Sequence, residues 1–505
     1  MIAARLTWVA AFFLVCAACL GPVLGDSSAF RYPQTGLAVI LAVCWWRWPD
    51  ALAAPLTLGS LRAILLASWL WCLACGATHF WAFEIGGMDF SIFEWMLGST
   101  VHGHFGYSRI FDVNHFGVHS TFLMLGLVPF YALFNSPWVL LIAGATLIWA
   151  GLFPLLRLVR WAHGGQHGGL ELMVMLAWLG NPWLGTLLNA GFRIEAFVPV
   201  LTAWFLVGWV NKRPWLWAMA LAGLWFSKED TCLFLASFAV GAWLVERSRW
   251  RAALLVAVTS MGWLVAYVAW LQPALLGHPP LYTQFWSQFG RTLPEVVLGA
   301  LSHPTLVLWR IATSRWWAMA LPALLVPLGS ARAFFGMAST VAMLGAATYE
   351  PMHQFEMYYP VPLVSFTVFG ALDVWRARPS RAARSWVIAA LLLFPLFWRG
   401  YARAVPVNWA RVEAMEQVRA AIANDAHVCA QLVLLPHLGV DSRLEPLGEP
   451  SGCGDRPEVT LVVNPELDTD PIENDDFARW LLSLEQRTTT QFPTGFQVIR
   501  ARVSQ

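Results

Sequence analysis

The sequence predicts an all-α polytopic membrane bundle of about 13 transmembrane helices, followed by a small C-terminal extracytoplasmic α/β domain. Three observations predict it. The 505 residues are 58% hydrophobic and 12% charged, with a mean hydropathy of +0.57, whereas a soluble domain carries about 25% charge. Apolar runs approaching the ~20 residues needed to cross a bilayer recur throughout the first part of the chain. The charge also divides: residues 1–400 hold 23 Lys/Arg and 15 Asp/Glu, and residues 401–505 hold 9 and 15. A basic membrane part therefore precedes an acidic tail. This composition excludes a soluble enzyme, a disordered chain and a nucleic-acid binder, whose basic footprint would be conspicuous. The expected partners are membrane lipids, with no nucleic acid.

The expected crossings, in order, are 5–25, 35–47, 63–83, 138–157, 170–188, 196–211, 214–227, 231–246, 252–271, 316–330, 334–349, 360–375 and 386–399. Arg157/Arg160, Lys212/Arg213, Arg247/Arg249/Arg251, Arg332 and the run Arg376–Arg384 are the basic clusters. Placing all of them in the cytoplasm puts the N-terminus inside and the C-terminus outside. The segment His119–Phe134 is apolar but short, and it stops at Asn135-Ser136-Pro137. It is expected to lie on the outer surface as an amphipathic helix. The chain then divides into two N-terminal crossings (1–58), a membrane core (59–400) with a long first outer loop (84–137), and the outer domain (401–505).

In that last part Asn408–Asp425 has helical spacing, Val459–Val463 is a β-type run, Phe477–Leu484 is helical and Phe496–Val503 alternates like a strand. Cys429 and Cys453 are its cysteines, and an oxidising compartment permits a disulfide between them; two unpaired thiols are the alternative.

Ionisable groups near membrane depth are expensive, so their positions carry information. On this topology they gather at the outer face: Asp89; the run Phe111–Ser120 with Asp112, His115 and His119; Arg193-Ile194-Glu195; Lys228-Glu229-Asp230; and Glu350 to His353 leading to Tyr358-Tyr359-Pro360. Each has a plainer reading. Asp89 can cap a helix starting at Ser91. His115 and His119, four apart, suit one helix face and metal ligation, or are interfacial polar residues. Arg193 and Glu195 can pair with each other. Lysine occurs only twice, and Lys228 between two apolar runs must be paired, hydrated or shifted in pKa; a turn with an internal salt bridge is its structural reading. No phosphate-binding Gly-x-x-x-x-Gly-Lys-Ser/Thr, Gly-x-Ser-x-Gly or His-Glu-x-x-His occurs. Cys16/Cys19 and Cys72/Cys75 lie inside apolar runs. No nucleotide or redox cofactor is expected.

Asp89 after an early crossing, then Asn114-His115-Phe116-Gly117-Val118-His119-Ser120 and the run Pro129–Phe134, resemble the domain of unknown function 2079 family of bacterial and archaeal membrane proteins. Phe192-Arg193-Ile194-Glu195, Lys228-Glu229-Asp230, Tyr358-Tyr359-Pro360 and the tail around Val428–Leu438 extend the resemblance across roughly residues 60–465. The chain departs from the family at Arg193, where His is common, and residues 5–47 look like an addition.

That family in turn resembles the GT-C glycosyltransferases, which include protein mannosyltransferases and lipid A aminoarabinose transferases. The resemblance implies a GT-C-like bundle, an essential acidic residue in the first outer loop and a sugar donor carried on polyprenyl phosphate. The expected function is inverting sugar transfer to a glycan, lipid or protein acceptor at the outer face of the cytoplasmic membrane. Asp89 and Glu195 are its candidate catalytic residues. Arg193, Lys228, Glu229, Asp230, His353, Tyr358 and Tyr359 are its candidate substrate contacts, with a cation meeting the donor phosphate. Asp89 can act as general base. Alternatively, Asp89, Asp112, His115, His119 and Glu195 are candidate ligands for a divalent cation that neutralises the leaving phosphate. The rival functions are a secondary transporter, which would often show related halves, and a lipid- or glycan-binding membrane protein without catalysis.

Overall fold

The computed structural model describes residues 33–47, 54–85, 87–277, 281–313, 329–349, 352, 357, 359–378, 380–397, 402–441, 443–447, 458–467 and 485–502. The expected crossing at 5–25, most of the one at 316–330, the helix at 477–484, and His353, Tyr358 and Cys453 lie outside them.

Helices α1 (Pro33–Arg47) and α2 (Leu58–Trp81) occupy the second and third expected crossings. Thr57 caps α2 by accepting a hydrogen bond from the Ser60 amide at 3.1 Å. The loop that follows is a folded layer. It contains α3 (Gly87–Val101), a hairpin of β1 (Tyr107–Ser108) and β2 (Val113–Asn114), and one helical turn, α4 (His115–Val118). A 3-10 segment (Phe122–Leu127) then runs into α5 (Val128–Phe134). This last piece is too short to cross a bilayer. It buries Met124 and Tyr131 and exposes Phe130, Leu133 and Phe134, as a helix lying at an interface should.

Helices α6 (Trp138–Ala150) and α7 (Leu152–His163) form one long span, ended by Gly164 in a left-handed conformation. The expected run 170–188 breaks into α8 (Gly168–Leu179) and α9 (Pro182–Asn189), because the Asn181 side chain accepts from the Trp183 amide and Pro182 opens a new first turn. Helices α10 (Phe197–Val210), α11 (Pro214–Trp225) and α12 (Thr231–Val245) follow. Helix α13 (Trp250–Ala266) continues through a π turn at Tyr267–Leu271 into α14 (Gln272–Leu276). Helices α15 (Leu293–Ser302) and α16 (Pro304–Thr313), which the apolar runs do not foresee, meet at an 89° bend. Three further helices are α17 (Ala331–Ala346), α18 (Pro362–Ala377) and α19 (Arg381–Phe397). Phe205, Trp209, Phe234, Phe238 and Phe366 interlock α10, α12 and α18.

Among the described residues three helices are long and apolar enough to cross a membrane alone: Leu58–Trp81, Trp138–His163 and Arg247–Leu276. The bent pair would make a fourth, and several apolar helices have 10–17 residues. Among the described residues the expected crossings are thus not all full-length helices. Caps and turns consume residues that an apolar run counts as membrane.

The tail begins with α20 (Trp409–Ala421), capped by Asn408. It then builds a sheet from β3 (Val428–Ala430), β4 (Leu444–Pro446), β5 (Glu458–Val463), β6 (Glu485–Gln491) and β7 (Gln497–Arg502), in the order β4-β3-β5-β7-β6. Strands β4, β3 and β5 are parallel, and β7 is antiparallel to both neighbours. A short helix, α21 (Leu435–Leu438), leaves β3. Its His437 stacks between Phe80 and Phe83, with ring centroids 4.2 and 3.9 Å away. Arg109 reaches Glu445 at 2.5 Å, and Gly98 leaves room for Val440 against α3. The sheet and the 87–134 layer therefore cover the same end of the bundle. Cys429 is disulfide-bonded.

Candidate functional site

The N-terminal ends of α3, α10 and α12 meet under this layer. Helix α3 begins at Gly87, so Asp89 lies inside its first turn and is not the cap of a helix starting at Ser91. A carboxylate there still faces the positive end of the helix dipole. Gly191, at φ +75°, reverses the chain after α9 and sets Arg193 in extended backbone, ahead of a 3-10 turn at Ile194–Ala196. Phe192, buried against Phe93 at 5.7 Å, holds that corner under α3. The turn Ser227–Thr231 is closed by its own side chains: Ser227 Oγ donates to Leu224 O, and Thr231 Oγ1 donates to Leu224 O and Lys228 O, each at 2.8 Å. The strap from His119 to Leu123 is stitched onto the same turn. Ser120 Oγ donates to Trp225 O at 2.9 Å, and the Leu123 amide donates to Phe226 O at 3.0 Å. Behind the strap, Tyr267 donates to Phe116 O at 2.8 Å and Gln272 to Val118 O at 3.1 Å.

The shortest charge pairs run across these elements. Arg193 bonds Asp89, and Lys228 Nζ lies 2.9 Å from Glu195 and 3.7 Å from Asp230. Glu229 takes His119 Nδ1 at 2.7 Å and the Ser120 amide at 3.0 Å. The expected Arg193–Glu195 pair gives way to Arg193–Asp89, whereas the expected salt bridge inside the lysine turn is present as Lys228–Asp230 and is joined by the shorter contact to Glu195. Lys228 also faces the Tyr359 ring at 5.9 Å.

Burial raises the Glu229 carboxyl, but His119, Lys228 and the Ser120 amide outweigh it and bring it to about 2. Burial lowers His119, and the Glu229 charge and hydrogen bond reverse this to a net rise. Glu195 is held below the carboxylate range because the Lys228 and Arg193 charges overcome its burial. Asp230 goes the other way: burial, together with Glu229 and Glu195, raises it despite Lys228. His115 is brought to about 3 by burial and by His119, and is neutral. The accessible rim is Asp89, 41% exposed, whereas Glu195 and Lys228 are each 10% exposed.

The candidate metal set does not assemble. His119 follows the single turn of α4 in extended backbone, so it does not share a helix face with His115, and the two rings are 6.1 Å apart and nearly perpendicular. Asp112 sits on the β1–β2 turn at φ +54° and takes the Tyr107 hydroxyl at 2.5 Å. Asp89 and Glu195 are neutralised by fixed basic side chains. Among the described residues no three His, Cys, Asp or Glu side chains converge as a metal site.

One carboxyl was missed. Glu94, 1% exposed in the middle of α3, takes the Tyr131 hydroxyl at 3.3 Å, and burial pushes it up to about 8. The available signal was a lone Glu inside the apolar stretch 90–97.

Residues 79–452 match the family described as a predicted membrane protein, DUF2079. The chain belongs to that family. None of the curated proteins matches this DUF2079 chain. Among solved structures it is similar to ArnT from Cupriavidus metallidurans bound to undecaprenyl phosphate, at 13% identity and a TM-score of 0.52, covering 88% of this chain and 98% of that one. The apo form of the same ArnT aligns at 12% identity and a TM-score of 0.46, covering 82% and 93%. At such identity the likeness establishes a shared fold between this DUF2079 protein and the bound ArnT, and no more. The motifs that resemble the family are the ones the fold brings together at one end of the bundle: Asp89, the His115–Ser120 strap, Arg193 with Glu195, and Lys228 to Asp230.

Proposed function

We propose that this protein transfers a sugar from a polyprenyl-phosphate donor to an acceptor hydroxyl at the outer face of the cytoplasmic membrane. The observation that carries the proposal is the accessible Asp89 carboxylate paired with Arg193, next to the buried Glu195–Lys228 pair. The ArnT likeness supports the donor class, because that protein has the same fold and was crystallised with undecaprenyl phosphate. On this reading the site and the C-terminal sheet face outward, and the donor's lipid tail stays in the bilayer.

The donor phosphate enters between Arg193 and Lys228 and exchanges with their carboxylate partners through charge-assisted bonds. Occupation of Arg193 releases Asp89, which then accepts the proton of the acceptor hydroxyl. The hydroxyl oxygen attacks the anomeric carbon from the face opposite the phosphate. The bond from that carbon to the phosphate oxygen breaks, the electron pair leaves with polyprenyl phosphate, and the configuration inverts. One base and a phosphate leaving group suffice; no second carboxylate nucleophile is required. Glu195 and Asp230 position Lys228, and Glu229 with His119 fixes the strap over the site.

The test is Asp89→Asn in purified protein with labelled polyprenyl-phosphate sugars and a panel of glycan, lipid and protein acceptors. The expected result is loss of transfer with folding and donor binding retained, since Asn preserves shape but cannot take the proton. Full transfer by the variant would remove Asp89 from the reaction.

A further inference from the structure

The helices that carry the site carry a second polar assembly at their other ends. Helix α10 is preceded by Glu195 and followed by Lys212, α12 is preceded by Asp230 and followed by Glu246, and α18 is preceded by Tyr359 and carries Asp373 and Arg376 near its C-terminal end. At 1.5 Å per residue the two assemblies are about 20 Å apart. Between these ends and the start of α17 opens a cavity of about 670 Å³, lined by Trp161, Lys212, Glu246, Arg249, Arg332, Asp373 and Arg376 among others. That volume lies within the roughly 300–1,000 Å³ typical of small-molecule sites.

Part of the charge inside is structural. Arg332 bonds both Glu246 and Asp373, Arg249 bonds Glu246 at 3.0 Å, and Ser330 donates to Asp373 at 2.6 Å. The two carboxylates are thereby used up by two guanidinium groups. Lys212 and Arg376 remain, and among the described residues neither has a carboxylate partner. Both are exposed at the cavity mouth. Arg376 is placed by the Trp161 carbonyl oxygen and by that indole's face, 4.9 Å away, and Lys212 by a left-handed turn at φ +55°. Arg332 Nε–H, buried, is without an acceptor among the described residues. Four cations thus face two carboxylates around an opening that also has apolar walls in Val210, Val245 and Ala331.

We propose that this cavity binds a phosphate ester, with Arg376 and Lys212 holding the phosphate and the walls of Val210, Val245 and Ala331 receiving the carbon attached to it. Guanidinium and ammonium groups on one rim match a phosphate's several oxygens. An amphiphilic phosphate also fits a cavity at the end of a membrane bundle, where a lipid headgroup or a free phosphate compound can reach it. The site is separate from the proposed transfer site and does not depend on that reading.

The test uses full-length protein in detergent. Native mass spectrometry counts bound phosphatidic acid, with diacylglycerol as the uncharged control, and thermal unfolding is followed with and without inorganic phosphate. The variants are the double substitution Lys212→Gln with Arg376→Gln, and Arg378→Gln as an exposed cation that does not line the cavity. Phosphatidic acid retained by wild type and Arg378→Gln, and held about tenfold or more weakly by the double variant, supports the site and identifies a lipid source. Stabilisation of wild type and Arg378→Gln by inorganic phosphate, absent in the double variant, supports it with a soluble source. Binding of neither probe, equal binding by the double variant, or equal loss in Arg378→Gln overturns it.

Discussion

The two ends of α10, α12 and α18 are built from the same residue types and are balanced differently. At the Asp89 end three basic groups, Arg193, Lys228 and His119, meet four carboxylates, and each base is matched to an acid across elements. At the Arg332 end four bases meet two carboxylates, which leaves basic groups at an open mouth. The contrast teaches that a charge cluster in a membrane bundle is read from its pairing, not its composition. A matched cluster ties together the elements that carry it, and on the proposed reading a reactive group is released only when a ligand replaces a partner. An unmatched one faces outward and attracts opposite charge.

The largest expected effect tests the matched end. Lys228→Met takes the bonded ammonium from Glu195 and Asp230, leaving only the Arg193 charge near Glu195, and should lower stability by about 3–5 kcal/mol, read from chemical or thermal unfolding in detergent. A loss below 1 kcal/mol would show that water already compensates these charges. Next is Gly144→Ala. A Cβ at Gly144 would stand 2.4 Å from the backbone oxygen of Gly191, the turn that delivers Arg193. Overpacking there should cost about 1–3 kcal/mol and weaken donor binding by moving Arg193 from Asp89. Unchanged stability and binding would show that this corner is compliant.

A smaller effect depends on pH. His119 is raised above its ordinary 6.5, so its contribution is complete below that value and fades as pH rises through the raised one. Glu229 is lowered from 4.5 to about 2, so its contribution is complete above 4.5 and is lost as pH falls toward 2. The stability difference between wild type and His119→Gln should therefore be greatest between about pH 4.5 and 6.5 and shrink above it. A pH-independent difference would make the contact a neutral hydrogen bond. Smallest is Lys212→Met at the unmatched end, expected to stay within about 0.5 kcal/mol because the exposed ammonium leaves no carboxylate behind. A cost near that of Lys228→Met would end the distinction between the two clusters.

Much of the bundle was legible because apolar runs are long and bounded by basic turns. Helices α2, α10, α12 and α18 lie close to where the runs place them. The helix boundaries were not, since Asn181-Pro182 divides one run and the 89° bend at His303 creates a helix pair that no single run announces. Strand β5 is apolar and was foreseen, whereas β6, Glu-Gln-Arg-Thr-Thr-Thr-Gln, lies at a sheet edge and shows no alternation of apolar residues. The site's members were legible one by one, because a charge in an apolar chain stands out. Their pairing was not. Local sequence pairs Arg193 with Glu195, whereas the fold joins Arg193 to Asp89, 104 positions away, and Glu229 to His119, 110 positions away; the local Lys228–Asp230 contact is kept at 3.7 Å, with Glu195 added at 2.9 Å. Asp112 was grouped with the histidines for nearness in sequence, and the β1–β2 turn carries it to Tyr107 instead.

The π turn at Tyr267–Leu271 acts as a phase shifter for the helix that contains it. One surplus residue per turn rotates everything beyond it by about 100° relative to an uninterrupted α-helix. That rotation lets Tyr267 and Gln272 address the strap together, one at Phe116 and the other at Val118. Deleting a single residue from the turn would restore ordinary helical winding and aim Gln272 elsewhere, with every side chain of the charge cluster still present in the sequence. The insertion belongs to the geometry of His119 as much as Glu229 does, although it lies more than a hundred positions along the chain and carries no charge.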